Sequence, residues 1–287
     1  SSAQTGNISL AGAITDGGTN PAAITFAGPV LLTAATSITT TNKPITFNTT
    51  LDGSFGLTVN PGTSTTNFAA NVGSGTTLTS ITVSGGAINL AGNFSTTGNQ
   101  SWNSTITLTG NAGLIVKSSS GQLSFGASSI VDVKTYALTL SADSFSFNAS
   151  SLFKSTANSY AGTLQVMPYT ATKTIGINTT TCANSATAAT CVIQLTQSNF
   201  TSNFDASLSQ ITIGSTSQTG NINLLGGASG SPFIYKSPLV LQQASSCSAS
   251  ATTCYIGTYG SSASTGYISY QGSGLGGLTM NAASVVY

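Results

Sequence analysis

Short apolar triplets with a hydroxyl in the middle recur along the chain: Ile24-Thr25-Phe26, Ile45-Thr46-Phe47, Leu57-Thr58-Val59, Ile81-Thr82-Val83, Ile106-Thr107-Leu108, Leu138-Thr139-Leu140 and Ile211-Thr212-Ile213. Each has period 2, which sends aliphatic or aromatic side chains to one face and Thr to the other. That is the pattern of a half-buried strand. Clusters of Gly, Asn, Ser and Pro, such as Asn60-Pro61-Gly62 and Gly226-Gly227, lie between the triplets and read as turns. Helical spacing is hard to find, and Ala186 to Ala189 is too short and too Thr-flanked to propagate a helix. The pattern predicts an all-β protein.

The triplets return at a loose period: Ile24 to Ile45 is 21 residues, Leu57 to Ile81 is 24 and Ile81 to Ile106 is 25. Repeats of this size, made only of strands and turns, point to a solenoid in which each repeat is one coil. The expected fold is a parallel β-helix with an inward ladder of Ile, Leu, Val and Phe. Roughly twelve coils at about 4.8 Å each give a rod about 60 Å long. The alternative is an antiparallel β-sandwich, which strands spaced about 8 to 12 residues apart also fit. Residues 1–287 read as a single elongated domain. The opening Ser1-Ser2-Ala3-Gln4, without an initiator Met, reads as a mature or internal segment.

Composition sharpens this. Charged residues make up 4% of the chain: six Lys and five Asp, with no Arg, Glu or His. In-register stacking places like residues over one another, so ladders of charge would repel while Thr, Ser and Asn ladders hydrogen-bond. The same scarcity excludes function classes. A net charge of +1 cannot supply the phosphate contacts of nucleic-acid binding. A Ser-His-Asp triad, a His-based zinc site and a calcium loop closed by Glu all need residues this chain lacks. No cofactor is expected. No run of about 18 apolar residues exists to span a membrane as a helix.

Four cysteines form two short-range pairs, Cys182 with Cys191 and Cys247 with Cys254, each bracketing a polar stretch. Two local disulfides pinning the necks of loops, in an oxidising extracellular setting, is the expectation. Four free thiols is the alternative.

The run Gly6-Asn7-Ile8, Ala11-Gly12-Ala13-Ile14-Thr15, Ile24-Thr25-Phe26-Ala27-Gly28-Pro29-Val30, Ile45-Thr46-Phe47, Leu51-Asp52-Gly53 and Leu57-Thr58-Val59 resembles the strand repeats of filamentous-haemagglutinin-like proteins, the bacterial exoproteins of two-partner secretion. Val72-Gly73, Leu78 to Val83, and Ile211 to Gly214 followed by Gly220 to Leu224, are similar. The resemblance implies a right-handed parallel β-helix on the bacterial surface, serving as an adhesin shaft or fibre. Its partners would be a host or neighbouring-cell surface, protein or glycan, or copies of itself. The secretion cap of such proteins is not visible here, and the paired cysteines depart from the repeats.

Individual features add less. The eight Asn-x-Ser/Thr sequons match what chance gives in so Ser/Thr-rich a chain. Asp16-Gly17 and Asp52-Gly53 read as turns. Asp132 and Asp143 flank a strand-like segment, but a polysaccharide-cleaving site needs clustered acids and a basic partner. Trp102 reads as packed in the interior or on a turn, with a stacking site for sugar as an unsupported alternative. Six of nine Tyr lie after residue 230, and Tyr235, Tyr255, Tyr259, Tyr267 and Tyr270 are a candidate contact surface or, alternatively, strand packing. The Thr-x-Thr pairs at Thr39, Thr63 and Thr105 suggest ice binding as a minor reading, weakened by their unequal spacing.

Overall fold

A computed structural model describes residues 6–157, 161–180, 190–228, 230–245, 256–259, 267–272, 276–282 and 285–286. The chain winds as a parallel β-helix, and all pairings between its named strands are parallel. The longest sheet has twelve strands. Its path runs Ile24–Phe26, Ile45–Phe47, Thr66–Phe68, Ile88–Thr96, Ile106–Val116, Ala137–Ser141, Thr163–Met167, Gln210–Gly214, Leu239–Gln242 and Leu278–Asn281. A second, eight-stranded sheet runs from Ile8–Asp16 to Phe145–Phe147. A five-stranded sheet takes over afterwards, in the order Ile193–Leu195, Ile175–Ile177, Ile222–Leu225, Ile256–Tyr259, Val285–Val286. The one helical element among the described residues is the short turn Asn199–Asn203.

Parallel in-register pairing converts the sequence repeat into columns. Ile24, Ile45, Thr66, Ile88 and Ile106 stack in register, as do Phe26, Phe47, Phe68, Leu90 and Leu108. Phe26 and Phe47 stack at 4.9 Å, and Phe47 and Phe68 at 5.0 Å with rings 2° from parallel. These side chains point inward and join one contiguous core from Leu10 to Ile256. Trp102 lies fully inside it, edge-on to Phe94 at 5.3 Å.

Several polar residues interrupt the inward columns, Gln100 and Thr66 among them. Gln100 stands between Ile81 and Leu123 and is fully buried. Its Nε2 donates to the carbonyls of Phe94 and Ile115, each at 3.0 Å, while its Oε1 accepts from the Trp102 indole at 3.4 Å. Every polar atom of that side chain is thereby used. Thr66 is different: its Oγ1 is buried with no partner.

Corners are fixed by Asn and Gly. Asn71 Oδ1 accepts the Asn93 N–H at 2.8 Å, reaching one coil on. Gly92 beside it has φ 82°, and a Cβ there would come within 2.6 Å of that same oxygen. Only Gly adopts this conformation in so tight a space.

Coil length is not constant. Early coils take 21 residues (Ile24 to Ile45, Ile45 to Thr66), whereas Leu164 pairs with Ile211, 47 residues on. The excess forms an insertion: the chain leaves the sheet after Ile175–Ile177 and returns as the added strand Ile193–Leu195. It then runs through Asn199–Asn203, where Phe204 bridges to Phe153 and restores the stack.

Candidate functional site

All five acids of the chain serve turns. Asp16 accepts the Ala22 N–H, Asp52 accepts those of Gly75 (2.8 Å) and Thr76 (3.0 Å), and Asp205 accepts that of Ser207 (2.9 Å). Asp132 and Asp143 are buried and share one arrangement. Asp132 takes the Thr156 N–H at 3.0 Å and its hydroxyl at 2.6 Å. Asp143 takes the Thr170 N–H at 2.8 Å and hydroxyl at 2.6 Å. Each carboxylate ties a turn to the coil that follows. Lys134 adds an ion pair to Asp132 at 2.8 Å. Burial pushes the Asp132 carboxyl up, but the Lys134 ammonium and the hydroxyl and N–H donors outweigh it and hold the pKa at about 2.

The tyrosine surface is corrected in part. Tyr235 is buried, packed against Phe233 and 5.4 Å from Tyr270, and so presents no contact surface. Burial and then the neighbouring Tyr270 hydroxyl push its phenol above the ordinary value. It belongs to an aromatic column running through Phe200, Phe204 and Phe153. Tyr270 is half-buried against the same core, and Tyr267 is exposed. Tyr255 lies outside the described residues, as does the side chain of Tyr259. Period 2 in Phe233-Ile234-Tyr235 was the available signal, since it places Tyr235 on the same side as Phe233.

Of the cysteines, Cys191 is described. It is buried and is not a free thiol. Cys182, Cys247 and Cys254 lie outside the described residues, and with them both expected pairings.

Two surfaces emerge that single-residue reading of the sequence did not reveal. One is a column of hydroxyls on the outer face of the eight-stranded sheet: Ser37, Thr58, Thr82, Ser101, Ser124 and Ser146 lie in register, one per coil. Their sequence intervals are unequal, yet the turns absorb the difference and the spacing becomes that between paired strands, about 4.8 Å. On the long sheet the equivalent column hydrogen-bonds to itself, Asn67 Nδ2 to Thr46 Oγ1 at 3.1 Å and Asn89 Nδ2 to Asn67 Oδ1 at 2.8 Å.

The other is a cavity of about 430 Å³ at the insertion, lined by Asn178, Thr180, Gln194, Leu195, Thr196 and Leu225 among others. Three stacked strands end there, because Ile177 pairs with both Leu195 and Leu224. Asn178 turns the chain outward with φ 57°, donating its N–H to the Leu195 carbonyl at 2.7 Å and its side-chain amide to the Leu225 carbonyl at 3.1 Å. The Cys191 N–H donates to the Thr180 carbonyl at 2.8 Å and closes the neck of the insertion.

Among the described residues no group of three His, Cys, Asp or Glu could hold a metal, and no helix is long and apolar enough to cross a membrane. Comparison with protein-family models, curated proteins and solved structures finds no match.

Proposed function

We propose that this chain is a non-enzymatic, extracellular β-helical segment that builds the shaft of a bacterial surface fibre or adhesin. The observation that carries the reading is the repeated tie between coils. Backbone pairing, Asn and Asp side chains and stacked aromatics each join a coil to its neighbour. Length is therefore gained by adding coils, without enlarging a globular core. The commitment of all five carboxylates to turn N–H groups supports the non-enzymatic side. The resemblance of the strand repeats to filamentous-haemagglutinin-like exoproteins supports the bacterial surface. Disulfides Cys182–Cys191 and Cys247–Cys254 complete the proposal, and non-reducing peptide mapping should recover both.

A second reading is end-to-end stacking of copies into a filament. It is favoured by one match: the first and last described strands of the long sheet, Ile24-Thr25-Phe26 and Leu278-Thr279-Met280, carry the same alternation of apolar residues around an exposed Thr. Electron microscopy of native material separates the two. A thread rooted at the cell surface is expected for the shaft; an axial repeat equal to one subunit identifies the filament. Globular particles without threads would sink both.

A further inference from the structure

The insertion between Ile177 and Ile193 departs from the coil pattern, and its described ends, 178–180 and 190–192, are held against the sheet. Position 176 of the strand Ile175–Ile177 is a Gly over which the neck of the insertion is laid: a Cβ there would collide with the Thr179 carbonyl oxygen and with Cys191 Sγ. Cys191 is buried, and its N–H holds the Thr180 carbonyl. Thr180 and Asn178 of the cavity wall are thereby held by backbone hydrogen bonds to Cys191 and Leu195, and walls so held lower the ordering cost of binding. In solenoids, insertions between repeats map to loops on one face, often the binding face.

We propose that this cavity binds an uncharged sugar ring. Its volume of about 430 Å³ falls among small-molecule sites, roughly 300 to 1,000 Å³. The lining mixes an apolar floor, Leu195 and Leu225, with amide and hydroxyl side chains at Asn178, Thr180, Gln194 and Thr196. That combination matches a pyranose, whose C–H face is apolar and whose rim is hydroxyl. Gln194 is exposed, and its Nε2 donates to the Cys191 carbonyl at 3.2 Å, which orients its Oε1 as an acceptor for a sugar hydroxyl. Among the described residues no charged side chain lines the cavity, so a carboxylated or sulfated sugar would enter without a counter-charge. The proposal deepens the adhesive reading by naming a ligand class, and it rests on that reading only for its biological role.

The test is saturation-transfer NMR on the full chain with glucose, galactose, mannose and N-acetylglucosamine. Sialyllactose and a heparin tetrasaccharide serve as the charged comparison. At least one neutral sugar should bind, with a dissociation constant on the order of 1 mM, as few solvent-exposed hydrogen bonds allow. Gln194→Leu should weaken it roughly three- to tenfold, the loss of about one net hydrogen bond. Gly176→Ala, whose methyl would displace Thr179 and Cys191, should abolish it. Ser146→Ala, on the hydroxyl column, should leave it unchanged. Circular dichroism of each variant separates loss of the site from loss of the fold. Saturation by the charged ligands alone, no binding by any neutral sugar, or wild-type binding in Gln194→Leu would each overturn the assignment. None of these results would touch the shaft reading, which microscopy decides.

Discussion

The Asp132 carboxylate holds Thr156 twice, through its backbone N–H at 3.0 Å and its hydroxyl at 2.6 Å, 24 residues along the chain. Asp143 repeats the arrangement on Thr170. In a chain with five acids, placing two of them in one geometry marks the turns where coils are tied.

This tie has a pH signature. The Asp132 carboxyl sits at about 2 against an ordinary value of 3.8, so the unfolded chain takes up a proton before the folded one does. Its contribution is full above about pH 4 and is lost as pH falls towards 2. Thermal melts of the wild type should lose stability across that window. Asp132→Asn should cost about 1 to 3 kcal/mol at neutral pH and flatten the acid dependence. An unchanged acid profile in Asp132→Asn would assign the dependence elsewhere.

Gln100 and Thr66, two of the polar residues in the inward columns, predict opposite outcomes. Gln100→Leu strands the carbonyls of Phe94 and Ile115 and the Trp102 indole, and should destabilise by about 1 to 3 kcal/mol. Thr66→Val replaces a buried hydroxyl that has no partner with a methyl, between Ile45 and Ile88, and should stabilise by about 1 kcal/mol. Chemical denaturation of both variants measures the signs. A destabilised Thr66→Val would mean that the hydroxyl is satisfied in solution.

Much of the fold was legible in the sequence. Ile-Thr-Phe triplets at 21-residue intervals give both the strands and their stacking, because a period-2 pattern repeated at the coil length can bury one face only if like lies over like. The later coils were less legible. Nothing in Leu164 to Ile211 announces a single 47-residue coil, since its added strand Ile193–Leu195 looks like any other triplet. The hydroxyl column was legible only in part: stacked triplets predict a Thr ladder through Thr58 and Thr82, but its Ser members follow from backbone pairing, because sequence intervals vary with the turns. Clustering of tyrosines by position suggested a surface, but alternation within Phe233-Ile234-Tyr235 decides burial, and it buries Tyr235. The cavity adjoins the packing of Cys191 over Gly176, a contact between positions 15 residues apart that no local pattern encodes.

The scarcity of charge is itself testable on the hydroxyl column. Thr58 and Thr82 are register partners on the outer face. Thr58→Lys and Thr82→Lys should each be nearly neutral, within about 0.5 kcal/mol. Together they place two ammonium groups on adjacent strands. The double variant should therefore be less stable than the sum of the singles by several tenths of a kcal/mol, and the deficit should shrink in high salt. Additive behaviour at low salt would remove electrostatic stacking as the reason the face is uncharged.

The central claim, a β-helical shaft on the bacterial surface, is tested most directly by labelling the protein on intact source cells with a conformation-specific antibody and gold. Label strung along thin threads that project from the outer surface is the predicted result. Label confined to the cell interior, appearing only after lysis, would contradict the account.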